Sequence, residues 1–260
     1  MKLIGNPAMP QSSKKQKHFS NQMGSALNYD CHQLQHWLLH TPMGREILRK
    51  ERFFLHNNVP SIFGLNSLQI GLGEINLLQG NKIPNHYTIN IDIKADLRFI
   101  PFATNSIDLI VCPHVLEFTN NYHHVLQEFH RILSPQGKLI ITAFNRHSWF
   151  GIFKSRIDIL KNARLIKLGQ LKDQLQTLNF HLEGGKFFSY TPPFKEAKKI
   201  YKYRWMNKAG DRWFPTLANS FAIIASKEVI TPTLIKRMDR EAFKIPEAAT
   251  LGTAKICNKN

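Results

Sequence analysis

Residues 106–118 read Ser-Ile-Asp-Leu-Ile-Val-Cys-Pro-His-Val-Leu-Glu-Phe. They begin as a nearly unbroken aliphatic run, which is typical of a strand buried on both faces. Residues 125–133 then place apolar side chains at helical spacing, which predicts an amphipathic helix. Proline and glycine within 134–137 predict the end of that helix, and residues 138–144 predict a second buried strand.

This strand-helix-strand unit predicts how the rest of the chain is arranged. Two aliphatic strands joined by a helix should be parallel with a right-handed crossover. In such sheets ligands bind outside the carboxyl ends of the strands, where Pro113-His114 and Phe144-Asn145 lie. The sequence therefore predicts an α/β fold with a mostly parallel central sheet flanked by helices.

The length and composition predict one domain with extensions. The chain has 260 residues, of which 43% are hydrophobic, enough for one sizeable core. We expect a flexible basic leader over 1–28 and a single domain over 29–226. Within it we place a core over 65–151 and a basic, aromatic cover over about 152–214. Residues 227–260 are predicted to form a C-terminal tail.

The sequence also limits the cellular setting. No apolar run approaches the roughly 20 residues that cross a bilayer, and Met1-Lys2 is not followed by a long apolar core, so secretion is not expected. The three cysteines are widely spaced, with no Cys-x-x-Cys pair, so a reducing cytoplasm is predicted and no metal site is expected. Cys112 is interpreted as a packing residue of the buried strand.

The charge of the chain favours anionic partners. The formal net charge is +17, and residues 151–212 hold 14 Lys and Arg against 5 Asp and Glu, which is more than half of it. Such a surface attracts nucleic acid, anionic lipid headgroups or an acidic protein, and the charge alone does not distinguish them.

Residues 65–74 form a short apolar run that ends in the turn Gly71-Leu72-Gly73. Glycines without a Cβ allow the backbone to approach a nucleotide closely. A plain turn from strand to loop is the better interpretation of these residues taken by themselves. The sequence leaves both interpretations open.

Hydrophobic spacing predicts further elements on both sides of the core. The predicted helices cover two short stretches within 32–53, interrupted at 41–44, then a short helix near 149–153 and another over 168–178. The predicted strands cover 87–93, 187–193 and 221–226.

Five motifs follow one another in a fixed order between residues 96 and 137. They are Asp96, Ile100-Pro101-Phe102, Ser106-Ile107-Asp108, His114-Val115-Leu116-Glu117, and Arg131-Ile132-Leu133-Ser134-Pro135-Gln136-Gly137. Together they resemble the class I S-adenosylmethionine-dependent methyltransferases, particularly the subgroup typified by ubiquinone and biotin biosynthesis methyltransferases. The resemblance covers roughly residues 65–151 and also extends to a bacterial group of methyltransferase-domain proteins.

The resemblance implies a Rossmann-like fold, S-adenosyl-L-methionine as cofactor and a set of site residues. The cofactor-binding roles carry over to the following residues: Gly71, Leu72, Gly73, Asp96, Leu97, Pro113 and His114. Asn145 and Ser148 lie where contacts with a methyl acceptor are expected. The sulfonium methyl group is already activated, so such a site mainly aligns it with a nucleophile, and a base is needed only when the acceptor must lose a proton.

Three departures from the family pattern bear on catalysis. Gln69 replaces the usual acid of the first strand, and Ile75 stands at the third glycine position. Asp96 follows Gly73 by 23 residues, too few for the usual two helices and two strands, since each helix takes about 11 residues. The sequence therefore predicts a shortened cofactor half with at least one helix missing; Asp92 is a candidate for the ribose hydroxyls.

Several polar residues allow both a chemical and a structural interpretation. His114 is either a general base or a strand-end residue that packs beside the cofactor. Glu117 is expected to orient the loop. Ser148 either contacts an acceptor or caps the following helix.

The segment 198–214 mixes cations with aromatic rings. This composition suits nucleic acid, through phosphate contacts and base stacking, or a membrane interface. A third interpretation is a solvated helix whose Tyr201 and Trp205 pack onto the domain. In the resembling enzymes this part often covers the acceptor, so Tyr201 and Trp205 are also acceptor-side candidates.

The sequence as a whole predicts a cytoplasmic methyltransferase acting on an unidentified small-molecule or lipid-like acceptor. The basic surface adds the inner face of the membrane as an alternative location. The alternative function is a catalytically degenerate protein of the same fold that binds a partner, such as nucleic acid or an anionic membrane, as a scaffold.

Overall fold

The computed structural model describes residues 32–89 and 97–228. The predicted leader and all of the predicted tail after Glu228 lie outside the described residues. So do Asp92 and Asp96, together with the second half of the predicted 87–93 strand.

The described residues contain a six-stranded sheet in the order β2-β1-β3-β4-β6-β5. Strands β1 to β4 are parallel, and β6 runs antiparallel to both of its neighbours. The predicted mostly parallel α/β fold is thereby confirmed. The strands are β1 Asn66–Ile70, β2 Asn85–Ile89, β3 Ile107–Pro113, β4 Leu133–Phe144, β5 Phe180–Phe188 and β6 Ser220–Lys227.

Helices flank this sheet, and two of them precede it. The first helix covers 32–40 (α1), and Thr41 caps α2 by accepting a hydrogen bond from the Gly44 amide, with proline at the first helical position. The predicted pair of helices is confirmed, although the second is longer than expected. The remaining bounds are α2 Pro42–Asn58, α3 Tyr122–Ile132, α4 Trp149–Ile152, α5 Leu168–Thr177, α6 Ala197–Lys202 and α7 Trp205–Trp213.

Strand β3 is buried on both faces, as its composition predicts. Leu109 and Val111 pack into the core that includes side chains of α1 and α2. Ile110 and Cys112 point the other way, into the core that includes α3 and α5. The alternation of side chains along the strand therefore serves two separate hydrophobic clusters.

Two of the motif residues hold the fold together. The Arg131 guanidinium donates to the carbonyls of Ile100 and Phe102, at 2.9 Å each, and pairs with Glu128. Asp108 accepts from the Leu65 amide and from Ser134 Oγ, both at 2.7 Å. The order of these motifs thus reflects a network that fixes the loop before β3 and joins β1, β3 and β4.

Two details differ from the predictions, and a third agrees with them. The Ser-Pro-Gln-Gly stretch over 134–137 lies within β4 as an irregular section, since the register with β3 shifts there. Strand β5 occupies Phe180–Phe188, earlier than the predicted 187–193. Residues 71–84, all of them described, contain turns and no helix between β1 and β2, which confirms the predicted loss of a helix.

Candidate functional site

The loop that follows β1 turns sharply at Gly71 and Leu72, whose φ angles are +84° and +48°. A Cβ on Gly71 would lie 2.5 Å from Val115 Cγ2 and 3.6 Å from the Pro113 carbonyl oxygen. The glycine therefore allows the carboxyl ends of β1 and β3 to approach each other. Gly73 is partly exposed, whereas the Leu72 side chain is buried in the core.

Gln69 organises this loop from inside. Its Nε2 lies within 3.1 Å of the carbonyls of Gly71 and Leu72 and 2.8 Å from that of Ile75, and its Oε1 accepts from the Leu77 amide at 2.9 Å. A neutral amide donates as well as accepts, which a carboxylate cannot do. Gln69 thus orients the amide of Leu77 in this loop, although it supplies no negative charge.

We expect Gly71→Ala to lower the free energy of unfolding by about 2–3 kcal/mol. A positive φ costs an L residue about 1–2 kcal/mol, and the clash with Val115 adds an overpacking cost. The matched control is Gly169→Ala in α5, where the added Cβ would meet no atom within 4 Å beyond its neighbours and the backbone of its own helix. Denaturant unfolding compares the two variants, and equal stabilities would show that the turn is not constrained.

His114 lies at the carboxyl end of β3 and is completely buried, with φ at +52°. Its Nδ1 lies 3.1 Å from Glu117 Oε1, and its Nε2 lies 3.0 Å from Glu51 Oε2. Glu51 is on α2 and Glu117 is in a short 3₁₀ helix after β3. The ring also stacks on Phe144, with 4.0 Å between centroids. The three residues Glu51, His114 and Glu117 form what we name the buried ion cluster.

The charge of this cluster follows from its geometry. Burial alone would lower the pKa of His114, but the carboxylates of Glu51 and Glu117 outweigh it and raise the pKa to about 10. The imidazolium then donates both N–H groups, one to each carboxylate. Glu117 Oε2 has no hydrogen-bond partner although it is buried.

Further contacts tie the cluster to two more strands, β4 and β6. Glu117 Oε1 also accepts from the Phe144 amide at 2.7 Å, and Glu51 Oε1 accepts from Ser220 Oγ at 2.8 Å. The prediction that Glu117 orients its surroundings is confirmed by these bonds. Since both ring nitrogens of His114 bind carboxylates, the ring does not act as a general base in this arrangement.

Glu51 is the main residue that the sequence analysis missed. It lies on the apolar face of α2, in line with Ile47, Leu48, Phe54 and Leu55, and is 2% exposed. A carboxylate in the middle of an apolar stripe is costly unless it is paired. An acidic residue on the apolar face of a predicted helix therefore indicated a buried interaction of Glu51. The helical pattern did not show which residue is its partner.

Asn145 and Ser148 lie at the carboxyl end of β4, where they fix neighbouring loops. Asn145 Nδ2 donates to the carbonyls of Thr216 and Ala218, at 2.7 and 3.0 Å. Ser148 Oγ donates to the Asn145 carbonyl and caps α4 by accepting from the Phe150 amide. The capping interpretation of Ser148 is confirmed, and the direct contact of either side chain with an acceptor stays a prediction.

A group of buried polar atoms without partners lies at or next to the ends of β4 and β5 and the start of β6. The side chain of Asn219 donates from Nδ2 to the Thr191 carbonyl at 2.6 Å, and the backbone amide of Asn219 donates to the Ser189 carbonyl. The unpartnered atoms are Thr142 Oγ1, Ser189 Oγ, Thr191 Oγ1 and Asn219 Oδ1. Buried polar groups are normally hydrogen-bonded, so this group marks the ends of β4 and β5 as a candidate polar contact for a ligand.

The other predicted site residues are distributed as follows. Pro113 is buried at the end of β3, and Leu97 is a core residue with 2% exposure. Asp96 lies outside the described residues. Tyr201 and Trp205 are 72% and 63% exposed, so the interpretation that they pack onto the domain is wrong.

The amino end of the sheet carries a cavity of about 490 Å³ near Asp108. Burial would raise the pKa of Asp108, but hydrogen bonds from Ser134 and from the amides of Leu65 and Asn66 outweigh it and lower the pKa. The Asp108 carboxylate therefore has a structural role, because its hydrogen bonds connect β3 with β1 and β4. Among the described residues no cluster of His, Cys, Asp and Glu has a metal-binding arrangement.

Two comparisons with curated proteins and families concern the sequence. Residues 74–141 match the family model described as a methyltransferase domain. The uncharacterised protein YafS of Escherichia coli K12 is 27% identical over 174 residues, which are 65% of this chain and 68% of that protein. The Methanocaldococcus jannaschii protein MJ0638 is 43% identical over 56 residues, 22% of this chain and 24% of its own length.

Solved structures show the same fold. A SAM-dependent methyltransferase from Archaeoglobus fulgidus superposes with a TM-score of 0.52 at 18% identity, covering 69% of this chain and 94% of that one. One from Thermotoga maritima gives 0.50 at 15% identity, covering 80% and 100%. The chain is thus similar to methyltransferase domains over residues 74–141, and it shares its fold with these SAM-dependent methyltransferases.

Proposed function

We propose that the chain transfers a methyl group from S-adenosyl-L-methionine to a small-molecule or lipid-like acceptor. One observation carries the proposal: the positive-φ turn at Gly71 and the end of β3 meet at the carboxyl edge of the sheet. Ligands of parallel α/β sheets bind at this edge. The cytoplasmic location remains a prediction that accompanies it.

The residues at this edge fit the cofactor. Its sulfonium and ammonium groups are cationic, and the buried ion cluster contains two carboxyl side chains, with one oxygen, Glu117 Oε2, that lacks a partner. These carboxyl groups take the place of the acid that Gln69 replaces. The backbone of Gly71, Leu72 and Gly73 would hold the amino acid end, and Asp96 would bind the adenine amino group, as the resemblance implies. The cofactor supplies an activated methyl group.

The chain itself would position the reactants and exclude water from them. Gln35 of α1 accepts from the Glu74 amide at 3.3 Å, and Trp37 packs edge-on against Phe144 and Phe150. These contacts bring the first helix against the glycine loop and the end of β4. Excluding water and positioning the reactants account for a large part of the rate enhancement of methyl transfer. The ring of His114 therefore has a structural role at this edge of the sheet.

We expect calorimetric titration to show micromolar binding of S-adenosylmethionine and S-adenosylhomocysteine, weakened about 10- to 100-fold by Asp96→Ala. Losing a hydrogen bond to a charged group costs about 1.5–3 kcal/mol. Asp158→Ala is the matched control, because the Asp158 side chain is 92% exposed on the predicted cover. Thermal unfolding of each variant verifies that it is folded.

A second stage follows transfer of a labelled methyl group to lipid and small-molecule extracts. Label incorporated by the wild type and lost in Asp96→Ala supports the proposal. A wild-type protein that binds neither ligand at millimolar concentration contradicts it and favours the scaffold alternative.

A further inference from the structure

Helix α7 presents its large side chains to solvent and its small ones to the domain. Gly210 packs under the ring of Tyr190, where a Cβ would lie 2.3 Å from Cγ. Asn207 Oδ1 accepts from the Tyr190 amide at 2.9 Å. Trp205 and Trp213 are 63% and 68% exposed. An ordinary surface helix buries its tryptophans, so this helix is inverted relative to that pattern.

The exposed apolar surface continues beyond the helix. Every residue from 211 to 217 is exposed, including Phe214 at 59% and Leu217 at 48%. Trp205 and Trp213 are eight residues apart, which places them about 80° apart around the helix, on one side of it. We name the exposed side chains of Tyr201, Trp205, Trp213, Phe214 and Leu217 the apolar ridge.

Cations surround the ridge. Residues 195–217 contain seven Lys and Arg against two Asp and Glu. One of the two acids, Glu196, is paired with Lys199, and the Arg204 guanidinium lies 5.6 Å from the ring centroid of Tyr201. Exposed Trp, Phe and Leu beside Lys and Arg are the composition of segments that lie in the interface of an anionic bilayer.

We propose that the apolar ridge docks the protein on a bilayer that contains anionic phospholipid. Aliphatic Leu217 and the exposed Pro215 suit contact with acyl chains, whereas a nucleic-acid surface would use stacking rings and phosphate contacts alone. Tryptophan and tyrosine prefer the headgroup region, where their rings and polar atoms are both satisfied. This inference is independent of the proposed methyl transfer.

The ridge is linked directly to the candidate site. Asn145, at the end of β4, binds the carbonyls of Thr216 and Ala218, and Ser220 begins β6 and binds Glu51. A bilayer that holds Phe214 and Leu217 therefore lies beside the carboxyl edge of the sheet. An amphiphilic molecule leaving the bilayer would reach that edge without crossing bulk water.

The test is sedimentation of the full chain with vesicles, without cofactor. We expect binding to equimolar phosphatidylcholine and phosphatidylglycerol, with a blue shift of tryptophan emission, and much weaker binding to phosphatidylcholine alone. Trp213→Ser with Phe214→Ser should weaken partitioning at least about tenfold, from the lost apolar burial. Replacing Lys202 and Lys208 together by neutral residues should weaken it by roughly 30-fold, since both cations are attracted to an anionic surface.

Phe63→Ser and Phe99→Ser are the matched controls, because these rings are 72% and 76% exposed but lie outside the ridge. They should leave partitioning unchanged. Absence of binding to the anionic vesicles overturns the proposal, and so does binding that the ridge variants do not alter. Tighter, ridge-dependent binding to a single-stranded RNA oligonucleotide than to vesicles also overturns it and assigns the ridge to nucleic acid. Loss of methyl transfer with vesicle binding intact would affect only the proposed function.

Discussion

The variant His114→Gln is expected to lower the free energy of unfolding by about 3–5 kcal/mol, the cost of leaving buried charge unpaired. The change removes the cation between Glu51 and Glu117, which are 2% and 0% exposed. Glutamine has a similar volume and keeps a donor, so packing changes little. The decrease in the free energy of unfolding should therefore reflect the loss of the positive charge. Denaturant unfolding measures it, with His124→Gln on the exposed side of α3 as a control that should stay within about 0.5 kcal/mol of the wild type.

A double-mutant cycle with Glu51→Gln separates charge from packing. Glu51→Gln leaves the imidazolium paired with Glu117, so its cost should be smaller than that of His114→Gln. In the Glu51→Gln background only one carboxylate is left unpaired when His114 is replaced. We expect a coupling free energy of about 1–3 kcal/mol between the two positions. Additive effects would mean that the two side chains do not interact as an ion pair.

The second large effect concerns alkaline pH. The pKa of His114 is raised from 6.5 to about 10 in the folded protein. A raised pKa contributes stability that is complete below about pH 6.5 and is lost as the pH rises through about 10. Over that window the wild type should lose up to about 1.4 kcal/mol per pH unit relative to His114→Gln.

Groups that titrate in both proteins cancel in this difference, which isolates His114. Unfolding free energies measured at several values between pH 6 and pH 10 give the two curves. Parallel curves would show that His114 is neutral in the folded protein and that a carboxyl group of the cluster carries the proton.

Much of the fold followed from local pattern. β3, α3 and β4 are specified by apolar runs and helical spacing within 40 residues of chain, and the structure has all three. β5 was placed too late because residues 181–186 alternate weakly and contain two adjacent glycines. Its position depends on pairing with β6, a contact between distant parts of the chain.

Less of the candidate site could be predicted. The sequence placed His114 at the carboxyl end of β3 because strand ends are local features. It could not supply the partner, because Glu51 is 63 residues away and the contact depends on how α2 crosses the sheet. The aromatic segment was ambiguous for a similar reason, since composition does not show which side of a helix faces the domain.

The position of β6 has a consequence for how the chain is made. β6 is the last described strand in sequence, yet it lies between β4 and β5. On the ribosome β5 therefore emerges before the strand that joins it to the sheet, and the edge of β4 stays open until residues 220–227 arrive. An open apolar edge recruits other strands. While the ribosome adds the roughly forty residues between Phe188 and Lys227, the nascent protein is most prone to incorrect strand pairing.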